Sequence, residues 1–173
     1  MTEALEARGL VKAFNGVKAA DDVTLVVPDG AFVSLIGANG AGKTTFVNMV
    51  TGYIRPDKGS IKTHGREIVG MSPREITRIG VCRSFQIPQI FSGLTLQENL
   101  LIAVSIARTN GTDSLSPLKE AANASSVELT EEIMERFGLT EYRFHQVSEV
   151  SGGMRKLLDV GMATISSPRV LLL

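Results

Sequence analysis

The sequence predicts an α/β fold, and three observations carry that expectation. Apolar, strand-like runs alternate with helix-compatible segments through the first half of the chain. A glycine-rich stretch, GANGAGKTT at residues 37–45, lies where the apolar run 31–36 gives way to a helix. From Gln86 onward the patterning turns helical. At 173 residues the chain is about one domain long and sufficient to bury a core.

Each element has a local reason. The first thirty residues are β-rich: residues 23–27 alternate, and Pro28-Asp29-Gly30 makes a turn before an expected buried strand at 31–36. A helix over about 43–51 closes at Gly52. The turn Pro56-Asp57-Lys58-Gly59 leads to short strands around 60–63 and 67–69, Pro73 opens a short helix, and 81–85 reads as a strand. Strands and helices alternating in this way are the pattern of a parallel sheet. Thr95 and Glu98 match a capping box ahead of Leu100, Leu101 and Val104. The polar stretch 108–126 is expected to be a loop, and the next helix should end near Phe137, with Gly138 as a left-handed cap. An apolar strand at 170–173 follows the last helix.

The spacing in residues 37–45 has a chemical reason. Gly37, Gly42, Lys43 and Thr44 fit the pattern G-x-x-x-x-G-K-[ST]. A nucleoside triphosphate presents several anionic oxygens close together, and backbone N–H groups can wrap them only where side chains are absent. Gly37, Gly40 and Gly42 remove those side chains and permit a tight concave loop. The helix starting near Gly42 adds unpaired N–H groups and the positive end of its dipole. Lys43 would reach the β- and γ-phosphates, and the Thr44 hydroxyl is placed for a bridging Mg²⁺. The alternative is a glycine-rich turn with no ligand, which the flanking strand and helix make the weaker reading.

Composition bounds the partners. Eighteen basic and eighteen acidic residues give a net charge of zero, so neither nucleic acid nor anionic lipid is indicated. One cysteine, Cys82, forms no internal disulfide, which fits a reducing compartment. The longest nearly apolar stretches, such as 100–107, are too short to span a bilayer, and the N-terminus has no signal-peptide pattern, so the chain reads as cytosolic.

A second site follows. Ser151-Gly152-Gly153 precedes a helix whose apolar positions Met154, Leu157, Leu158, Met162 and Ile165 recur at intervals of three and four. Ser151 is a candidate N-cap, and the two glycines leave amides exposed at the helix's positive end. An ordinary capped helix after a glycine turn is the alternative.

The order of these motifs, a phosphate loop, Gln86 at the end of a strand, a helical segment, Ser151-Gly152-Gly153 and then an apolar strand, resembles the ATP-binding domain of ABC ATPases. The resemblance implies a P-loop NTPase with a RecA-like core, an N-terminal antiparallel β subdomain and an inserted helical subdomain, incomplete at the C-terminus. Its divisions fall at about 1–85, 86–153 and 154–173. It implies ATP and Mg²⁺ on Gly37, Ala38, Asn39, Gly40, Ala41, Gly42, Lys43, Thr44 and Thr45. Phe14 matches the aromatic that stacks on adenine, with a core phenylalanine as the alternative. Gln86 matches the glutamine that approaches Mg²⁺ and the attacking water, so that Lys43 and Gln86 are the catalytic candidates and Thr44 and Gln86 the metal candidates. Ser151, Gly152 and Gly153 match the signature loop, which in the family contacts ATP held by a facing subunit, identical or not; Met154 replaces its usual glutamine.

Within that family, residues 83–103, RSFQIPQIFSGLTLQENLLIA, resemble the ATP-binding subunits of branched-chain amino-acid importers, and urea and amide importer ATPases look similar. The resemblance implies a subunit on the inner face of the cell membrane, transmembrane permease partners and, indirectly, a periplasmic solute-binding protein. Ile87, Pro88, Ile90 and Phe91 are the expected docking surface for the permease, or else subdomain core. A nucleotide-binding module without turnover, or an ABC protein with no transporter, is the competing function. The family pattern calls for an aspartate and a general-base glutamate after Leu173, and for a switch histidine that neither His64 nor His145 can replace, so the sequence is expected to be a fragment. General-base assistance contributes about 10² to 10⁴-fold. The 173-residue chain should therefore show negligible ATPase activity, and phosphate release comparable with a full-length relative and dependent on Lys43 would contradict this.

Overall fold

In the computed structural model, which describes residues 3–84, 90–109 and 123–173, β1 (Glu3–Phe14) and β2 (Val17–Pro28) form a long antiparallel hairpin. The turn between them is Asn15-Gly16, with φ of 47° and 83°, the pair of positive angles that a two-residue hairpin loop requires. β3 (Lys58–Thr63) pairs with the other edge of β1 and β4 (Arg66–Glu67) with β3, giving the order β2-β1-β3-β4. Leu5, Ala7, Leu10 and Ile61 are fully buried along this sheet, and register places Ala7 opposite Ile61. Gly59 is required where β3 passes an irregularity in β1. A Cβ there would stand 2.5 Å from the carbonyl oxygens of both Arg8 and Gly9.

Two helices complete this first unit, which comprises Met1–Cys82 with Leu172. α1 (Lys43–Val50) buries Phe46, Met49 and Val50. α2 (Pro73–Arg78) has Pro73 in its first turn and a capping box in which the Ser72 hydroxyl accepts from the Glu75 N–H while the Glu75 carboxylate accepts from the Ser72 N–H at 2.8 Å. β5 (Val81–Arg83) and β6 (Val170–Leu172) form a separate two-stranded sheet.

The expected buried strand at 31–36 is not formed. The segment is irregular, without a ladder partner among the described residues, and Phe32 and Ile36 are each 91 % exposed. A strand apolar on both faces needs neighbours on both edges and layers above and below it; β5 has β6 as its partner, and the larger sheet ends in β2 and β4. Two neighbouring strand expectations change as well. The strand at 81–85 is observed as Val81–Arg83, with Phe85 outside the described residues. The last strand, expected at 170–173, is observed as Val170–Leu172 and pairs with β5.

The second unit, Arg83–Leu171 with Leu173, is helical. α3 (Leu96–Thr109), α4 (Ala124–Arg136) and α5 (Gly152–Thr164) surround a core that includes Leu100, Ile133, Met134, Leu139 and Leu158. Short 3₁₀ turns, Thr140–Tyr142 and Val147–Glu149, link α4 to α5. α3 starts at the expected capping box: the Thr95 N–H and hydroxyl each donate to the Glu98 carboxylate at 2.8 Å, and the Glu98 N–H donates to the Thr95 hydroxyl at 3.2 Å. The chain before α5 straps this start, with the Leu96 N–H donating to the His145 carbonyl and the Val147 N–H to the Leu94 carbonyl.

Helices reach further into the expected loop 108–126 than its polarity implied. α3 runs to Thr109, and α4 begins at Ala124 because the Asn123 side chain accepts from the Ser125 N–H; residues 110–122 lie outside the description. α4 ends as expected, with Gly138 in the left-handed region at φ 65°.

The hydrogen bonds from Thr95 hold the Glu98 carboxyl below the ordinary glutamate value. A carboxyl depressed in the folded state contributes stability that is present above its unfolded value and is lost as pH falls through the folded one. Thr95→Ala leaves the Thr95 N–H on the Glu98 carboxylate but removes the side-chain cap, and should lower stability at neutral pH by about 1 kcal/mol, the scale of a lost cap. The deficit should shrink under acid conditions, as read by urea denaturation followed through helical circular dichroism.

Candidate functional site

α1 differs from its neighbours at its N-terminus. α2, α3, α4 and α5 each start behind a side chain that accepts a first-turn N–H: Ser72, Thr95, Asn123 and Ser151. α1 starts behind Gly42, at φ 83°, with no side-chain cap and no acidic residue in its first turn. The N–H groups of Lys43, Thr44 and Thr45 have no carbonyl within the helix to receive them. The positive end of α1 is thus uncompensated, and residues 37–41 ahead of it are exposed.

The loop's shape follows from its glycines and one lysine. Gly40 has φ 85°, and the Ala41 N–H donates to the Ala38 carbonyl at 3.2 Å. A Cβ on Gly42 would come within 2.1 Å of the Ala19 carbonyl oxygen, so the loop rests against the backbone of β2 only because residue 42 has no side chain. The Lys43 ammonium arches back over the loop and donates to the carbonyls of Gly37 at 2.5 Å and Ala38 at 2.8 Å. Amides, helix dipole and ammonium together make a concave, positive surface suited to a polyanion.

Phe14 stands at the tip of the hairpin that carries this contact. Ladder register places Phe14 opposite Val17 and Ala13 opposite Lys18, the residue beside Ala19. Phe14 is 44 % exposed, and the Lys12 ammonium lies 5.5 Å from its ring centroid. Sequence reasoning missed Lys12, whose only signal is a position two residues before the aromatic.

Ser151, Gly152 and Gly153 lie in the helical unit, all exposed. The Ser151 hydroxyl accepts from the Met154 N–H at 3.3 Å, as its N-cap position predicts. Met154 packs against the helical core, which accounts for an apolar residue at that position. Arg155, also missed, donates to the carbonyls of Val150 at 3.1 Å and Ser148 at 3.0 Å and fixes the approach to the loop.

The remaining sequence candidates divide. Gln86, Ile87 and Pro88 lie outside the described residues. Ile90 packs against the helical core, whereas Phe91 is 56 % exposed. His64 contacts the Thr63 hydroxyl at 3.3 Å, and His145 meets the Tyr142 ring at 5.6 Å, consistent with structural roles.

Among the described residues no cluster of histidine, cysteine or carboxylate side chains could hold a metal by itself. The exposed Thr44 hydroxyl at the start of α1 is one oxygen donor. That donor set does not make a protein cage, and fits a Mg²⁺ that arrives with phosphates and keeps water ligands.

Comparison with known proteins agrees with this architecture. The ABC transporter family profile matches residues 20–173. The chain is 36 % identical over 169 residues to the probable branched-chain amino acid transport ATP-binding protein LivG of Archaeoglobus fulgidus, covering 98 % of this chain and 66 % of that protein. It is 35 % identical over 172 residues to the high-affinity branched-chain amino acid transport ATP-binding protein BraF of Pseudomonas aeruginosa, covering 98 % and 68 %. The crystal structure of an ATP-binding cassette of an ABC transporter in its ADP conformation superposes with a TM-score of 0.83 at 31 % identity, covering 99 % of this chain and 68 % of that one. The chain thus spans about two thirds of the length of the relatives it matches. With the family profile over residues 20–173 and the cassette likeness over 99 % of its length, the chain belongs to the ABC transporter family.

Proposed function

We propose that this chain belongs to the ATP-binding subunit of an ABC importer, a subunit that in its complete form hydrolyses ATP and whose cargo is branched-chain amino acids or a similar small polar solute such as urea or amides. The observation that carries the reading is the helix α1, which alone among the five described helices begins with its amides uncapped, behind a glycine loop covered by Lys43. Likeness to transport ATP-binding proteins favours this function over a nucleotide-binding module without turnover.

In this reading each residue of the two glycine-rich sites has a role. The backbone of Gly37, Ala38, Asn39, Gly40, Ala41 and Gly42 curves around the β- and γ-phosphates, and the N–H groups of Lys43, Thr44 and Thr45 point to their oxygens. Lys43 exchanges its carbonyl partners for phosphate oxygens, a trade that matches an ammonium to charge developing during phosphoryl transfer. Thr44 offers its hydroxyl to Mg²⁺, with Gln86 as a second metal contact and as the group orienting water. Held by Thr44 and Gln86, Mg²⁺ would supply neutralisation of phosphate charge. Phe14 stacks on the adenine.

Ser151, Gly152 and Gly153 act on the ATP of a facing ATP-binding subunit, identical or different, through the exposed amides at the start of α5. The exposed Phe91 contributes to the surface for a transmembrane permease, and a periplasmic solute-binding protein delivers cargo to that permease. No described helix is long and apolar enough to cross a membrane, and the subunit works at the cytoplasmic face through its permease.

In the assembled transporter Lys43→Ala should reduce ATP hydrolysis by about a hundredfold or more and abolish ATP-driven uptake of labelled leucine. Uptake that survives Lys43→Ala would contradict the ATPase role. Hydrolysis stimulated by urea or amide but not leucine would move the cargo assignment within the same function.

A further inference from the structure

The last residues of β1 are held from a distance in sequence. The Lys12 ammonium donates to Asp57 Oδ1 at 2.8 Å, and the Ala13 N–H donates to Asp57 Oδ2 at 2.9 Å. The Asp57 N–H donates in turn to the Val11 carbonyl at 2.8 Å. One residue of the turn before β3 therefore ties down Val11, Lys12 and Ala13, the three positions ahead of Phe14. The hydrogen bond from Lys12, and after it that from the Ala13 N–H, holds the Asp57 carboxyl below the usual aspartate value, so it stays ionised at neutral pH.

Lys12 then acts on the ring. Its side chain is only 17 % exposed, and its ammonium lies over Phe14, 5.5 Å from the centroid, within the range of attraction to an aromatic face. A ring with a cation on one face presents the other to a planar ligand. Fixing the ring beforehand also lowers the entropy lost when a base stacks on it.

We propose that Asp57 is a positioning residue for nucleotide recognition, holding Lys12 and the Ala13 amide so that Phe14 turns one face to the Lys12 ammonium and the other to the purine base. The proposal rests on the reading of Phe14 as the base platform. Its distinctive consequence is selectivity: Asp57 affects affinity for the base and leaves affinity for the phosphates alone.

The test compares Mg·ATP with Mg·tripolyphosphate, which has the phosphates and no base, by calorimetric titration of the full chain. Phe14→Ala should weaken ATP about fivefold or more, from lost stacking. Asp57→Ala should weaken ATP about two- to fivefold, the scale of an exposed cation–π contact, and leave tripolyphosphate unchanged, which also shows that the variant is folded. Asp57→Asn, which keeps an acceptor for the Ala13 N–H, should weaken ATP in the same direction by less. Asp57→Ala should add nothing in the Phe14→Ala background. The proposal is overturned if Asp57→Ala leaves ATP affinity intact while Phe14→Ala lowers it, if Asp57→Ala weakens tripolyphosphate equally, or if it weakens ATP as much without Phe14 as with it. A Phe14→Ala variant that binds ATP like the parent removes the platform reading itself, and the role of Asp57 with it.

Discussion

The approach of Gly42 to the Ala19 carbonyl oxygen is the constraint on which the rest of the site depends. It seats the start of α1 directly on the backbone of β2, at a distance that any side chain at residue 42 would violate. With no capping side chain there, the first amides of α1 remain uncapped, and Lys43 folds back to the carbonyls of Gly37 and Ala38. The same β2 segment is laddered to the end of β1, so the hairpin that supports the loop also carries Phe14.

The two glycine-rich sites solve different local problems. At α1 glycine stands in the N-cap position itself, and no side chain among the described residues caps the helix's first N–H groups. At α5 the cap is Ser151, one amide is already satisfied, and the glycines follow the cap. Under the proposed function the first would offer several donors to a polyanion held by its own chain, and the second, with Arg155 on the carbonyls behind it, a contact to a phosphate presented from outside.

What the sequence revealed depended on how local the physics was. The phosphate loop was legible because each of its residue types answers a backbone requirement within a few positions. The Thr95 box and the Gly138 cap were legible for the same reason, and their hydrogen bonds and dihedral angle are those expected. The run 31–36 was misjudged because apolarity signals a wish for burial without specifying a ladder partner, and Phe32 and Ile36 are found exposed. The ends of α3 and α4 were underestimated because Asn123 and the Arg108 guanidinium, which donates to the Ser125 carbonyl, extend order into a polar stretch. Asp57 read as turn punctuation, because its contact with the Ala13 N–H spans 44 positions and no periodicity encodes it.

Backbone amide NMR during titration with Mg·ATP tests whether the uncapped start of α1 grips nucleotide phosphates in the same chain. If it does, the largest ¹H–¹⁵N shifts fall on residues 40–45, with the Phe14 ring moving alongside and the amides of Gly152 and Gly153 nearly unmoved in the monomer. Shifts confined to Gly152 and Gly153, or an unmoved 40–45 segment at saturating nucleotide, would contradict it.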